Sequence, residues 1–328
     1  MSKINYTPKQ ALQQFGINWG IGSAPVQWKA PPPSNRFDHN TMMPPPPTIE
    51  DLPHRVMYRE DTGKPLGIVS DKYTPLDNQQ FAGAVSLILN DAENTIVSGG
   101  AYRGGKSVWM SADLGTSMIA GVDPIKQYAT FFTAHDGGGS LRMVATTQRV
   151  HCSNQFANLD KSGAISIRHI GDQIEFGIEA ARASLIGLSQ WHATLEETSN
   201  ILAGQQFDAS WLAEFFRRSY IASLPKDTAA LLRTPVTTDM PLESVAKRER
   251  AEARLESHLE IMAGNYAEGM RYTAGSNHMP DDIRGSKWHA FNAFTHYVDH
   301  DTNRGAESVQ VGAAAAVKSN AFSLAAIL

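Results

Sequence analysis

Hydrophobic periodicity changes once along this chain, near residue 176. Upstream, short β-branched and aromatic runs are separated by Gly, Asp and Pro. Downstream, apolar residues recur at helical spacing over long stretches. Strands first and helices afterwards predict an α+β fold, an antiparallel, β-hairpin-rich N-terminal half packed with a helical C-terminal half, and argue against a doubly wound parallel sheet. The expected organisation is a proline-rich arm over 1–54, a body over 55–305 that is β-rich to 175 and helical from 176, and an Ala-rich tail over 306–328.

Within the body, Arg55-Val56-Met57-Tyr58-Arg59 and Leu66-Gly67-Ile68-Val69-Ser70 flank the turn Asp61-Thr62-Gly63-Lys64-Pro65 and predict a hairpin. Phe81, Val85, Ile88 and Leu89 predict a helix over 77–91 capped by Asp77. Further strand pairs are expected around 99–106 and 135–140, and helices over 176–200, 208–220, 241–270 and 286–300. The mixed-charge run from Glu243 to Glu260 reads as a solvated helix face. In the arm, Pro31–Pro33 and Pro44–Pro47 favour extended backbone. Trp19, Trp28 and Phe37 imply packing on the body or a neighbouring subunit, against the alternative of a partly ordered tail. The tail ends on Leu324, Ile327 and Leu328, apolar groups that need cover on the body or on a second copy.

Composition narrows the function classes. A formal net charge of −4 argues against binding nucleic acid by bulk charge but not against a local basic groove. The one cysteine, Cys152, excludes an internal disulfide and a cysteine-based zinc site, and fits a reducing cytoplasm. No apolar run reaches the roughly 18–20 residues of a membrane span, and the N-terminus lacks a secretory pattern, so no membrane partner is expected.

The letters Gly100-Ala101-Tyr102-Arg103-Gly104-Gly105-Lys106-Ser107 fit a phosphate-binding P-loop, but Val108-Trp109-Met110-Ser111 beyond them alternates like a strand where a P-loop needs a helix. A strand connection is expected there, with no cofactor. His296 and His300 lie one helical turn apart, and His135-Asp136 precedes three glycines. Together these four offer an alternative metal-dependent hydrolase, weighed against ordinary structural and turn roles. His151-Cys152 would point to opposite faces of a strand, so Cys152 reads as a small core residue. Aromatics and cations interleave through Tyr102, Arg103, Lys106, Trp109, Arg142, Arg149 and Arg168. A single-stranded nucleic-acid groove uses that pairing, because bases stack on rings and phosphates meet cations; the competing reading makes Trp109 core and the cations a solvated face.

Several segments together resemble the phage- and plasmid-encoded family called domain of unknown function 932. They are Tyr58-Arg59-Glu60-Asp61-Thr62-Gly63 with Leu66-Gly67-Ile68-Val69-Ser70, Tyr73-Thr74-Pro75, the 99–106 glycine segment, His135-Asp136-Gly137, Arg149-Val150-His151-Cys152-Ser153-Asn154, Ile167-Arg168-His169, and Trp288-His289-Ala290-Phe291-Asn292-Ala293 with Tyr297-Val298-Asp299-His300. The resemblance spans about residues 50–305 and leaves the arm and tail outside. It implies a mobile-element protein of the bacterial cytoplasm without supplying a catalytic residue. Element order is also similar to phage single-strand annealing proteins of the RecT and Erf type, which often form rings, an analogy of fold alone. The expected function is single-stranded DNA binding, with annealing, in phage or plasmid replication or recombination by a homo-oligomer. The alternatives are the hydrolase and a protein-binding module acting on host defence or plasmid regulation.

Overall fold

In the computed structural model the described residues are 5–30, 48–89, 96–138, 140–150, 155–157, 164–167, 173–237, 240–271 and 279–328. They form two sheets followed by helices, the expected α+β arrangement. A three-stranded antiparallel sheet runs in the order β1 (Ile21–Lys29), β2 (Ile49–Arg59), β3 (Pro65–Ser70). The second sheet runs β4 (Ile96–Tyr102), β5 (Ser107–Ile119), β6 (Asp123–Ala134), β7 (Leu141–Arg149), β8 (Gln155–Ala157), with β9 (Ala164–Ile167) also pairing with β7. A tight turn separates β5 from β6: Val122 N donates to Ile119 O at 3.0 Å, and Ala120 and Gly121 both take positive φ, the twist hairpin turns require.

The chain divides into two compact units. Unit 1 comprises Met1–Ala112, Phe131–Met143 and Ile165–Ala183. Its first helix, α1 (Pro8–Gln14), starts at a capping box between Thr7 and Gln10 with proline in the first turn. α2 (Asn78–Ile88) starts the same way at Asp77 and Gln80, and buries Phe81, Val85 and Ile88 as their spacing predicts. α1 packs on α2 and β4. The 1–54 segment is therefore not an irregular arm where it is described. It supplies α1, and β1 pairs with β2 from Ile21↔Arg59 to Lys29↔Ile49, because ladder hydrogen bonds and the burial of Ile17 and Trp19 outweigh its proline-rich composition. Phe37 and both proline runs lie outside the described residues.

Unit 2 comprises Asp113–Thr130, Val144–Ala164 and Ser184–Leu328. It holds most of α3 (Gln173–Gly204), then α4 (Ala209–Ala222), α5 (Lys226–Arg233), α6 (Leu242–Arg271), α7 (Lys287–His296), α8 (Ala306–Val311) and α9 (Ala313–Ile327). A π-helical turn, Tyr297–Asp301, follows α7. The core gathers Phe215, Phe216, Leu255, Met262, Phe291 and Phe294. Burying each such side chain is worth about 1.5–3 kcal/mol. The Ala-rich tail docks on this core within its own unit: Ala314, Ala321 and Ala325 bring α9 close to α4 and α7. Among the described residues no helix is long and apolar enough to cross a membrane.

Candidate nucleic-acid interface

The glycine segment forms a hairpin in unit 1. β4 and β5 pair antiparallel with Gly100 opposite Trp109 and Tyr102 opposite Ser107. At the tip, Gly105 N donates to Tyr102 O at 3.0 Å across Arg103 (φ 50°) and Gly104 (φ 72°). Gly105 follows at φ 105°, and a Cβ on it would come within 3.1 Å of the Trp19 ring and 3.0 Å of Arg59 Cδ. These glycines satisfy a left-handed turn and a close approach, not a phosphate cradle, because Ser107 onward is strand.

Near that turn the interleaved residues converge. The Tyr102 and Trp109 rings stack with centroids 5.9 Å apart at 13°, both half-buried. The indole lies over Gly100, where a Cβ would sit 3.3 Å from Nε1, so a side chain there would crowd it. Arg103 is 51% exposed, with its guanidinium 3.4 Å from Asp136. Lys64, in the β2–β3 turn, brings Nζ within 2.6 Å of where a Gly104 Cβ would be. Neither Lys64 Nζ nor the half-buried Lys106 Nζ has an ion pair or hydrogen bond among the described residues. Arg59 lies 4.3 Å from the Trp19 ring centroid and holds Asp61 through contacts of 2.6 and 3.0 Å. That hydrogen bonding lowers the Asp61 carboxyl below its ordinary value. Arg142 is exposed on β7, its guanidinium 5.9 Å from the Phe132 ring.

A buried polar chain supports this end of unit 1. His135 Nε2 meets Asn78 Oδ1 at 3.0 Å, and Asn78 Nδ2 donates to Trp19 O at 3.0 Å. Trp19 meets the His135 ring edge-on at 5.5 Å, and His135 N donates to Lys106 O at 2.8 Å. Tyr73 OH donates to Ala134 O at 3.1 Å; burial, then the Asp136 charge, pushes its phenol up to about 12. Asp136 Oδ1 accepts from Gly138 N at 3.0 Å. His135 and Asp136 thus brace the turn beneath the hairpin.

Other expected site residues lie elsewhere. Arg149 belongs to unit 2 and is buried: its Nε donates to Asp123 at 2.6 and 2.9 Å, and Nη2 lies 3.5 Å from Met279 Sδ. Trp288 Nε1 donates to the same carboxylate at 2.9 Å. Desolvation makes such a guanidinium a partner for an internal carboxylate, not for a phosphate in solvent, so Arg149 leaves the phosphate set. Arg168, His151 and Cys152 fall outside the described residues. The described residues, the alternative set His135, Asp136, His296 and His300 included, contain no group of three or more His, Cys, Asp or Glu placed to hold a metal ion. His296 and His300 face each other with centroids 4.4 Å apart, while neighbouring Asp299 instead binds buried Lys318 at 2.5 Å. Sequence reasoning missed Lys64, Arg59 and Trp19. Lys64 stands in the β2–β3 turn, where a lone cation carries no site signal, and Trp19 lies in the segment whose composition predicts an arm.

No curated protein and no solved structure matches the chain. The family model described as domain of unknown function (DUF932) matches residues 65–323, which takes in the body from residue 65 onward and most of the tail. With its antiparallel hairpins ahead of a helical half and that match over most of its length, the chain belongs to the DUF932 family.

Proposed function

We propose that this protein binds single-stranded DNA through the β4–β5 hairpin of unit 1, in the replication or recombination of a phage or plasmid. The observation that carries the reading is the half-exposed Tyr102–Trp109 stack flanked by Lys64, Arg103 and Lys106. A base stacking on an exposed ring face gains about 1–3 kcal/mol whatever its identity. Exposed cations meet the adjoining phosphates, and Asp61 and Asp136 repel a strand from the flanks, which focuses it on the tip. Holding a strand by backbone and stacking leaves Watson–Crick edges available, so annealing needs no bond-making chemistry.

The test is fluorescence anisotropy with a labelled oligothymidylate. With about two to four phosphates engaged, log K falls against log salt with a slope of about −1.4 to −2.8. Absence of binding at micromolar protein and low salt ends the proposal.

A protein partner is favoured by a separate feature. Beyond Pro25 the β1–β2 arm exposes Trp28, Ile49 and Leu52. A second copy is the proposed cover, giving a homo-oligomer. Light scattering checks it: Trp28→Ser lowers the assembly mass, and a wild-type monomer across micromolar concentrations contradicts it.

A further inference from the structure

We propose that the cleft between α5 and α6 in unit 2 binds an organic phosphate of nucleotide size. Lys247, Arg250 and Arg254 recur at i, i+3 and i+7, which places them on one stripe of α6. With Ala251 they line one side of a cleft of about 630 Å³, within the range of small-molecule sites. Tyr220, Leu224, Pro225 and Leu231 also line it as apolar surface. The mixed-charge run is therefore more than a solvated face: on α6 its acids are partly committed sideways, Glu252 to Arg248 at 2.9 Å and Glu243 to Lys247 at 2.6 Å.

What remains uncommitted sets the ligand class. Arg250 spends only Nε, on Ala246 O at 3.1 Å, leaving its outer fork. Arg254 makes no hydrogen bond or ion pair among the described residues. Asp227 is the lining carboxylate, and Lys247 is already held by Glu243. Two available guanidinium groups complement a dianion; a single carboxylate would leave one uncompensated. The apolar lining suits a ring attached to that phosphate. A second cleft, lined by Arg217, Arg218 and Arg233, differs because Arg218 is committed to Glu214 at 2.5 Å, itself a lining carboxylate, and Leu324 and Ile327 also line it.

Calorimetry and thermal shift on the full chain would use pyrophosphate, ADP and a 5′-phosphorylated oligonucleotide, each against chloride at matched ionic strength. At least one phosphate probe is expected to bind, and R250Q/R254Q to weaken it by about ten-fold or more. Both side chains are exposed, so the variant's melting temperature without ligand stays unchanged. Preference for ADP over pyrophosphate identifies a free nucleotide, and preference for the phosphorylated oligonucleotide over its unphosphorylated twin identifies a strand end; either supports the site. Trp109→Ala leaves pyrophosphate and ADP binding intact, which separates this site from the hairpin reading. No binding above the chloride control, or equal affinity in the double variant, overturns the proposal.

Discussion

Removing the Asp123 carboxylate tests whether Arg149 serves the core of unit 2. Asp123 is fully buried and accepts from Arg149 Nε at 2.6 and 2.9 Å and from Trp288 Nε1 at 2.9 Å. In Asp123→Ala the buried guanidinium loses this carboxylate, and breaking a buried pair costs about 3–5 kcal/mol. The stranded indole N–H adds about 1–3 kcal/mol. The losses share one network and do not simply add, so about 4–6 kcal/mol is expected. That is a large share of the stability of a typical domain, about 5–15 kcal/mol. Urea unfolding followed by circular dichroism measures it. Replacing both partners, Asp123→Leu with Arg149→Met, removes the buried charge as well and recovers stability to within about 2 kcal/mol of wild type. A loss below about 1.5 kcal/mol in the single variant, or a double variant no better than the single, would refute the reasoning.

Acid should destabilise the fold through two histidines. Burial lowers His289 to about 3, helped by the Arg149 and Arg284 charges, and lowers His192 to about 4. His289 Nδ1 already accepts from Gly285 N at 3.2 Å. The unfolded chain protonates near the ordinary value of about 6.5 while the folded chain does not, so stability is full above that pH. It then falls by up to about 2.7 kcal/mol per pH unit between about pH 6 and 4, and His289→Phe should remove about half of that slope in urea midpoints taken across the range. Gly105→Ala should cost about 1–3 kcal/mol, read as a fall in melting temperature, because φ 105° and the Trp19 and Arg59 contacts both oppose a Cβ. Arg103→Gly removes a left-handed non-glycine residue, leaving stability within about 1 kcal/mol of wild type while weakening oligonucleotide binding.

Element type was legible wherever a period or cap stood in the letters. Phe81, Val85 and Ile88 gave α2, and the Gly63 turn gave the β2–β3 hairpin. α1 had a readable signal, Thr7-Pro8 with Gln10, that proline-rich composition further along obscured. β1 was hidden because its partner, β2, begins beyond a long proline-rich stretch. At the candidate site, the glycine segment was readable as a strand connection, and Tyr102, Arg103, Lys106 and Trp109 do gather on that hairpin. Arg149 was not separable from them by spacing, since its burial depends on Asp123 and Trp288, far away in sequence. Lys64 reaches the tip only through tertiary packing against Gly104. The charged stripe of α6 looked like a solvated face because its cleft depends on α4 and α5 folding beside it.

The most direct measurement of the DNA-binding claim compares labelled oligothymidylate affinity at low salt for wild type, Trp109→Ala, Lys64→Gln and Arg142→Gln. Loss of a stacking ring is expected to cost about 1–3 kcal/mol, or roughly 5- to 150-fold in Kd. Lys64→Gln and Arg142→Gln should each reduce the salt slope by about 0.7, the share of one phosphate. Wild-type affinity in Trp109→Ala with an unchanged salt slope in Lys64→Gln would contradict the account.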